Sequence, residues 1–222
     1  MSNYGIVIGH GKQRELHRAI KAILEPQFDH VCAVTPRNDE LRLYDEEYPI
    51  GHSDYNGYGT QDRTMFATLL AATIGGDDDI VSIIEYDAIV WPGYWKHCIP
   101  TVDTVQCGMI FNESPASKFK AKQFTHWPVT TTVANWKLIA EKMAHVTEGG
   151  YPDRMMGLAI ERAGLKLQEV GLATYSSNKI GPKELPAALD AIRRGALCMH
   201  GIKDVGTLKT LNDAYNAIHA QA

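Results

Sequence analysis

The order of apolar runs and amphipathic segments in the first half limits the folds that this chain can adopt. Apolar runs typical of buried strands lie at 4–8, 31–34 and 80–85. Between them, segment 12–24 carries apolar residues at helical spacing, and Thr60 can cap a helix that ends at Gly75-Gly76. Strands that alternate with helices predict an α/β domain with a mostly parallel central sheet flanked by helices. Such sheets bind ligands at the carboxyl ends of their strands.

The second half of the chain continues the same alternation of elements. Strands are predicted at 107–111 and 166–170, and helices at 133–146 and 153–163. No repeat or linker divides the 222 residues, which suffice for a sizeable core. We therefore expect a single domain.

Composition and charge argue against several classes of protein. A formal net charge of −4 argues against a protein that coats nucleic acid by general electrostatic attraction. It does not exclude a local basic groove. The four cysteines form no CxxC pair and are typical of buried thiols in a reducing compartment. No apolar run approaches the ~20 residues that span a bilayer, and the first residues do not resemble a signal peptide. We expect a cytoplasmic protein.

Two acids interrupt the end of the central apolar run, in IIEYDAIV at 83–90. Glu85 and Asp87 alternate along an extended segment, so both carboxylates face the same side. Buried carboxylates need a counter-charge, solvent or a metal. Two hard oxygen donors at a strand end suit Mg²⁺ or Mn²⁺ holding a diphosphate. The structural alternative is a pair of solvated acids at an exposed strand end.

Two later segments carry further polar groups. The helix predicted in PDRMMGLAIERAG, 152–164, begins with Asp153, for which the helix dipole and free N–H groups are a sufficient structural explanation. In CMHGIKD, 198–204, His200 and Lys203 can direct an imidazole and an ammonium toward one point, as a metal ligand and a phosphate contact. The alternative for His200 is a plain loop histidine.

These segments, preceded by the glycine-bearing loop and helix start NGYGTQDR at 56–63, resemble in their order the GT-A glycosyltransferases, which use nucleotide sugars. The resemblance implies a GT-A-like, Rossmann-like fold. It implies that Asp87 binds a divalent ion with Glu85 as helper, that His200 completes the metal site, and that Lys203 contacts the diphosphate. The chain departs from the family pattern in having Glu85 at the first acidic position.

The same resemblance implies further roles. Asp153 becomes the general base of an inverting enzyme, which is needed because a sugar hydroxyl has a very high pKa. Arg63, His10 and Asp39 become contacts of the nucleotide, although Arg63 on a helix surface is an equal alternative. The family usually carries Glu-Asp where this chain has Pro152-Asp153, so one carboxylate is carried over.

The implied activity is transfer of a hexose or pentose from a nucleotide-diphosphate sugar to an acceptor hydroxyl. A uridine diphosphate sugar with Mn²⁺ or Mg²⁺ is expected. Residues 1–100 would bind the donor and residues 101–222 the acceptor.

The segment SKFKAKQFTHW, 117–127, suggests one acceptor. Its lysines at a period of two, with nearby aromatic rings, could follow phosphates and stack a base; the residues are Lys118, Lys120, Lys122, Phe124 and Trp127. The acceptor would then be a hydroxymethylated base of bacteriophage DNA, flipped from its duplex in the host cytoplasm. The structural alternative is an edge strand that its lysines protect from aggregation.

Two other functions remain open on the sequence. A sugar nucleotidyltransferase shares the sheet and the acids at the strand end, but it needs a glycine-rich basic loop after the first strand, of which HGKQR at 10–14 is a weak version. A non-catalytic DNA- or carbohydrate-binding protein could use the lysine-rich segment alone.

Overall fold

The computed structural model describes most of the chain. The described residues are 1–9, 13–37, 42–50, 58–112, 123–146, 151–170, 175–177 and 179–219, without the side chains of residues 58–60 and 126. Residues singled out in the sequence that lie outside them are His10, Asp39, Lys118, Lys120 and Lys122.

The described chain alternates strands and helices. Its strands are β1 (Asn3–Ile8), β2 (His30–Thr35), β3 (Glu47–Pro49), β4 (Ile80–Glu85), β5 (Ala88–Val90), β6 (Thr104–Asn112), β7 (Gln123–Thr132), β8 (Lys166–Glu169), β9 (Tyr175–Ser176) and β10 (Cys198–His200). Its helices are α1 (Arg14–Leu24), α2 (Tyr58–Ala71), α3 (Val133–Met143), α4 (Pro152–Arg162), α5 (Leu185–Arg193) and α6 (Val205–His219), with 3-10 turns at Glu25–Gln27 and Pro92–Lys96. None of these helices is long and apolar enough to cross a membrane.

The main sheet has seven strands in the order β3-β2-β1-β4-β7-β6-β8. Strand β1 pairs in parallel with β2 and β4, and β6 pairs in parallel with β8. Strand β7 runs antiparallel to both of its neighbours, β4 and β6. The predicted mostly parallel sheet is therefore confirmed, with one reversed strand inside it.

Strand β7 begins inside the segment 117–127. Residues 123–126 pair with β6, whereas β4 pairs with the later residues 129–132, so the described part of 117–127 is paired along one edge, in agreement with the interpretation as an edge segment. The end of β7 contains threonines, which favour strand structure. One of them, Thr130, shares a hydrogen bond of 2.9 Å with Ser82 of β4. Only the later part of β7, residues 129–132, lies between two neighbouring strands.

The core surrounds β1 and β4. Ile6 and Val7 of β1 and Ile83 and Ile84 of β4 are fully buried, as expected for central strands covered by helices on both faces. Adjacent residues of a strand point to opposite faces, so these pairs anchor the layers on each side of the sheet. Strand β4 thus reaches the carboxyl edge of the sheet as a rigid element.

A small second sheet, in the order β5-β10-β9, lies beyond the end of β4. Strand β10 pairs antiparallel with β5, with Ala88 opposite His200, and parallel with β9, with Ser176 opposite His200. The sequence did not predict this sheet, because its strands are very short. It joins the turn after β4 to a segment more than a hundred residues later.

Topology also brings the start of α4 to the edge where β4 ends. Helix α3 follows the reversed strand β7, and α4 is followed by β8, which starts beside the beginning of β6. Helix α4 must therefore run from the carboxyl edge of the parallel strands back toward their amino edge. Its first turn contains Asp153.

Candidate functional site

Glu85 and Asp87 lie at the carboxyl end of β4. Glu85 is the last residue of the strand, opposite Ile8 of β1, and Asp87 follows in the turn before β5. Asp87 is only 1% exposed, whereas Glu85 is partly buried. The alternative of two solvated acids is therefore wrong for Asp87, which needs a counter-charge.

The imidazole of His200 bridges both carboxylates. Its Nε2 lies 2.9 Å from Oε2 of Glu85 and 3.2 Å from Oδ1 of Asp87. Its Nδ1 lies 3.5 Å from Oγ of Ser176. Burial alone would lower the pKa of His200, but hydrogen bonds and charge from Asp87 and Glu85 outweigh it and raise that pKa to about 10.

Lys203 is the second cation of this group. Its ammonium contacts Oδ2 of Asp87 and lies 5.2 Å from the centroid of the Tyr86 ring. Burial raises the pKa of Asp87, but His200 and Lys203 together outweigh it and lower that pKa to about 2. For Glu85 burial dominates over the opposing contact with His200, and the pKa is raised. The two acids at one strand end thus differ in basicity.

The donor set fits a divalent metal. Glu85, Asp87 and His200 each offer one ligand atom, and these atoms lie within 4.8 Å of one another. Oδ1 of Asp87 is buried, and Nε2 of His200 lies between it and Oε2 of Glu85, at 3.2 and 2.9 Å. Two carboxylate oxygens and one imidazole nitrogen suit Mn²⁺, and also Mg²⁺ with added water.

A glycine allows β10 to bring His200 to this position. Gly201 has a φ of +99°, and a Cβ there would lie 1.9 Å from the carbonyl oxygen of Ser177. The backbone N–H groups of Gly201 and Ile202 both donate to the carbonyl of Asp87, at 3.1 and 3.0 Å. The backbone before Lys203 is therefore fixed to the turn that carries Asp87.

Asp153 lies within electrostatic range of the same group. Burial raises its pKa, while the charge of Arg154, backbone N–H groups and the charge of His200 act in the opposite direction. The negative charge of Asp153 in turn contributes to the raised pKa of Glu85. Asp153 also lies in the first turn of α4, where a carboxylate interacts favourably with the helix dipole, as the structural explanation requires.

Aromatic rings and one guanidinium pack together near the start of α4, the helix that carries Asp153. Phe111 of β6 stacks on Phe124 of β7, with centroids 5.1 Å apart. The guanidinium of Arg154 lies 4.7 Å from the Phe124 centroid and 5.3 Å from that of Tyr151, which is 55% exposed. The surface beside the start of α4 is therefore aromatic and cationic.

Trp127 does not belong to that surface. It is only 3% exposed and belongs to the hydrophobic core. The prediction that Trp127 stacks a nucleic-acid base is wrong, because its ring is buried in the hydrophobic core. Phe124 stays partly exposed.

Arg63 lies in α2, which crosses from β3 to β4 and therefore begins near the carboxyl edge of the sheet. It is only 5% exposed, so the alternative of a surface arginine is wrong. A buried guanidinium remains charged and must be paired.

The sequence analysis missed three contributors to the site, two of which carry no usable signal in the sequence. Ser176 faces His200 from β9, and Tyr86 lies under Lys203, but nothing in their local sequence indicates either contact. Gly201 is different, since a His-Gly pair next to a short apolar run is a recognisable sign of a positive-φ position.

Comparisons with known proteins support the fold. No family model and no curated protein matches the sequence. Among solved structures, a glycosyltransferase involved in the glycosylation of the major capsid of PBCV-1 is similar, with a TM-score of 0.53 and 13% identity over 95% of this chain and 98% of that one. At this identity the likeness concerns the fold, and it confirms the predicted α/β architecture.

A second similar structure is the catalytic domain of Drosophila β1,4-galactosyltransferase 7 in complex with xylobiose. The TM-score is 0.46, with 11% identity over 77% of this chain. This chain covers 66% of the length of that domain, and we base no argument on the match.

Proposed function

We propose that this protein is a metal-dependent glycosyltransferase that moves a sugar from a nucleotide-diphosphate donor to an acceptor hydroxyl. One observation carries the proposal. Glu85 and His200, 115 positions apart in the chain, meet with Asp87 at the carboxyl edge of the sheet. An α/β fold shared with a glycosyltransferase makes this edge the expected place for a nucleotide sugar.

The metal would be held by Asp87, His200 and Glu85. When bound, Mn²⁺ or Mg²⁺ supplies positive charge that stabilises the departing nucleotide diphosphate. Lys203 adds an ammonium to the same side of the site. Arg63, together with His10 and Asp39, is proposed to contact the nucleotide, for which a uridine nucleotide is our first candidate.

Asp153 is the proposed general base. A bond forms from the acceptor oxygen to the anomeric carbon as the bond from that carbon to the diphosphate breaks, and the diphosphate leaves with the electron pair. The acceptor proton passes to Asp153, whose raised pKa makes it a better base than an exposed aspartate. Attack opposite to the leaving group inverts the anomeric centre.

The two halves of the chain have different proposed tasks. Residues 1–100 contain the parallel strands β1 to β4 and would bind the donor, while residues 101–222 contain Asp153 and would bind the acceptor. His200 and Lys203 also belong to the second half, so the metal site draws on both. Whether the sugar is a hexose or a pentose belongs to the same set of proposals.

A hydroxymethylated base of bacteriophage DNA stays a proposed acceptor. Its support in the described residues is Phe124, with Arg154 over its ring. The lysines on which it also depends lie outside the described residues. It predicts that DNA binding falls steeply with salt, because each phosphate contact releases counterions.

The test is a thermal-shift series of nucleotide sugars with and without Mn²⁺. A ligand that binds only the folded state raises the melting temperature. We expect one nucleotide sugar to raise it only with Mn²⁺, and Asp87→Asn to remove this effect. Asp190→Asn, an exposed aspartate in α5, is the control that should keep it. A full metal-dependent shift in Asp87→Asn would refute the proposed site.

A further inference from the structure

Lys203 forms an ion pair with Asp87, the carboxylate that a metal at this site would also need. Its ammonium contacts Oδ2 of Asp87, while the imidazole of His200 stands 3.2 Å from Oδ1 of the same group. Asp87 therefore has a cationic group beside each oxygen. A divalent ion that approaches Asp87 meets the ammonium at short range in a poorly hydrated place, where repulsion is strong.

The side chain of Lys203 has freedom that its backbone lacks. The preceding residues, Gly201 and Ile202, are bonded to the carbonyl of Asp87. The Lys203 side chain is 27% exposed, whereas that of Asp87 is 2% exposed. A flexible four-carbon stem can thus carry the ammonium away from Asp87 by rotation about its own bonds, with no movement of the main chain.

The Lys203 ammonium also lies over the face of the Tyr86 ring. Lys203 Nζ lies 5.2 Å from its centroid, a cation–π distance. Tyr86 lies in the turn after β4, and its ring also packs near the imidazole of His17, with centroids 5.5 Å apart. Because the contact of Lys203 with Tyr86 does not involve Asp87, it would persist if the ammonium left that carboxylate.

We propose that Lys203 is a gate that makes the metal and the diphosphate bind cooperatively. Without a diphosphate, Lys203 pairs with Asp87 and weakens metal binding. When a diphosphate enters, its oxygens draw the ammonium away from Asp87, and the carboxylate is released to the metal. The inference rests on the proposed function, because it takes the diphosphate as the group that attracts Lys203.

Cooperativity of this kind is reciprocal. If the diphosphate raises the affinity for the metal, the metal raises the affinity for the diphosphate by the same factor, typically about 5- to 150-fold. Removal of the ammonium should abolish part of this coupling. It should also tighten binding of the metal alone, which is opposite to what is expected if Lys203 only contacts the diphosphate.

The experiment measures Mn²⁺ binding to the purified protein from the paramagnetic resonance signal of free Mn²⁺. Lys203→Met removes the charge and keeps the length, and Lys203→Gln is a second variant in case the first does not fold. We expect both to bind Mn²⁺ alone more tightly than the wild type, by about 5-fold or more. Lys179→Met removes an exposed charge close to Asp204 and should leave Mn²⁺ affinity unchanged.

A second measurement uses inorganic pyrophosphate as the probe, with correction for its own complex with Mn²⁺. Pyrophosphate should raise Mn²⁺ affinity in the wild type and do so less in the Lys203 variants. Unchanged or weaker Mn²⁺ binding in those variants would overturn the gate. If Asp87→Asn still abolishes Mn²⁺ binding in that case, the proposed metal site stands without the gate. Failure of wild type and variants alike to bind Mn²⁺, with or without pyrophosphate, would overturn both.

Discussion

At the scale of single residues, Asp153 offers the sharpest test of chemistry against structure. Asp153→Asn keeps the shape of the side chain and much of its interaction with the start of α4, but it cannot take a proton. We expect sugar transfer to slow by about 10²- to 10⁴-fold, with donor binding unchanged. Steady-state rates and donor affinity measure the two effects separately.

The control for this variant is Glu161→Gln, an exposed acid near the other end of α4. It should transfer sugar at the normal rate. Near-normal transfer by Asp153→Asn would leave Asp153 as a helix start with no role in proton transfer.

Gly201 is the second residue for which the structure makes a specific prediction. Gly201→Ala adds a Cβ at positive φ and also places it 1.9 Å from a backbone oxygen. Gly195→Ala has a similar φ of +93° but meets nothing within 4 Å, so it measures the conformational strain alone. We expect about 1–3 kcal/mol of lost stability from Gly195→Ala and more from Gly201→Ala.

Denaturant unfolding measures both variants, and Mn²⁺ binding separates them further. Gly201→Ala should also lose Mn²⁺ affinity, because β10 can no longer hold His200 beside Glu85. Equal unfolding free energies for the two variants would show that the approach to Ser177 imposes no constraint.

At the scale of elements, the start of β4 depends on one aspartate. Asp79 accepts hydrogen bonds from the N–H of Ser2, at 2.6 Å, and of Gly76, at 2.9 Å, and these bonds lower its pKa from its ordinary value of 3.8. A lowered folded-state pKa means that the contribution to stability is present above the ordinary value and is lost as pH falls through the folded value.

We therefore expect Asp79→Asn to lower stability at neutral pH and to flatten the decline of stability below about pH 4. Chemical unfolding across that range measures it. Asp78→Asn, one position earlier and exposed, should follow the wild-type profile. A parallel decline in Asp79→Asn and the wild type would contradict the assignment.

The elements also show how far sequence reasoning extends. Strand β4 was predicted with its exact bounds, because an apolar run between a turn and an acid pair leaves few other interpretations. The sequence analysis did not predict strand β7, because the lysine-rich segment that precedes it is typical of an exposed edge. The strands β5, β9 and β10 have two or three residues each, too few for periodicity to indicate them.

At the scale of the whole molecule, the cysteines report on the integrity of the core. All four are free and buried, as the sequence predicted. Burial raises the pKa of Cys32 and of Cys98 to about 12, and raises those of Cys107 and Cys198 as well. A thiol with a raised pKa stays protonated at neutral pH and is therefore a poor nucleophile.

We predict that alkylation of all four cysteines at pH 8 follows unfolding of the protein. Mass spectrometry of protein treated with iodoacetamide at increasing denaturant concentrations measures each site. Cys32 lies in the main sheet and Cys198 in the small one, so the two sites report on separate sheets. Rapid modification of Cys198 in the native protein would mean that the small sheet opens independently.

The site as a whole was only partly accessible from the sequence. The resemblance that singled out Asp87, Glu85 and His200 selected residues that the structure brings together, because the order of motifs along a fold constrains their positions in space. It could not indicate that Lys203 contacts Asp87 directly, since that contact depends on the turn at Gly201. Nor could it show that Trp127 is buried, which required the position of β7.

Glu85 and His200 lie 115 positions apart in the chain, and this separation has a consequence for biosynthesis. The acids leave the ribosome long before their imidazole and ammonium partners do. During that interval a nascent chain can complete β1, β2 and β4, but it has no counter-charge for the carboxylate of Asp87, which must stay hydrated. The ion pairs at the carboxyl edge of the sheet can therefore form only late in translation, after the segment around β10 has been synthesised.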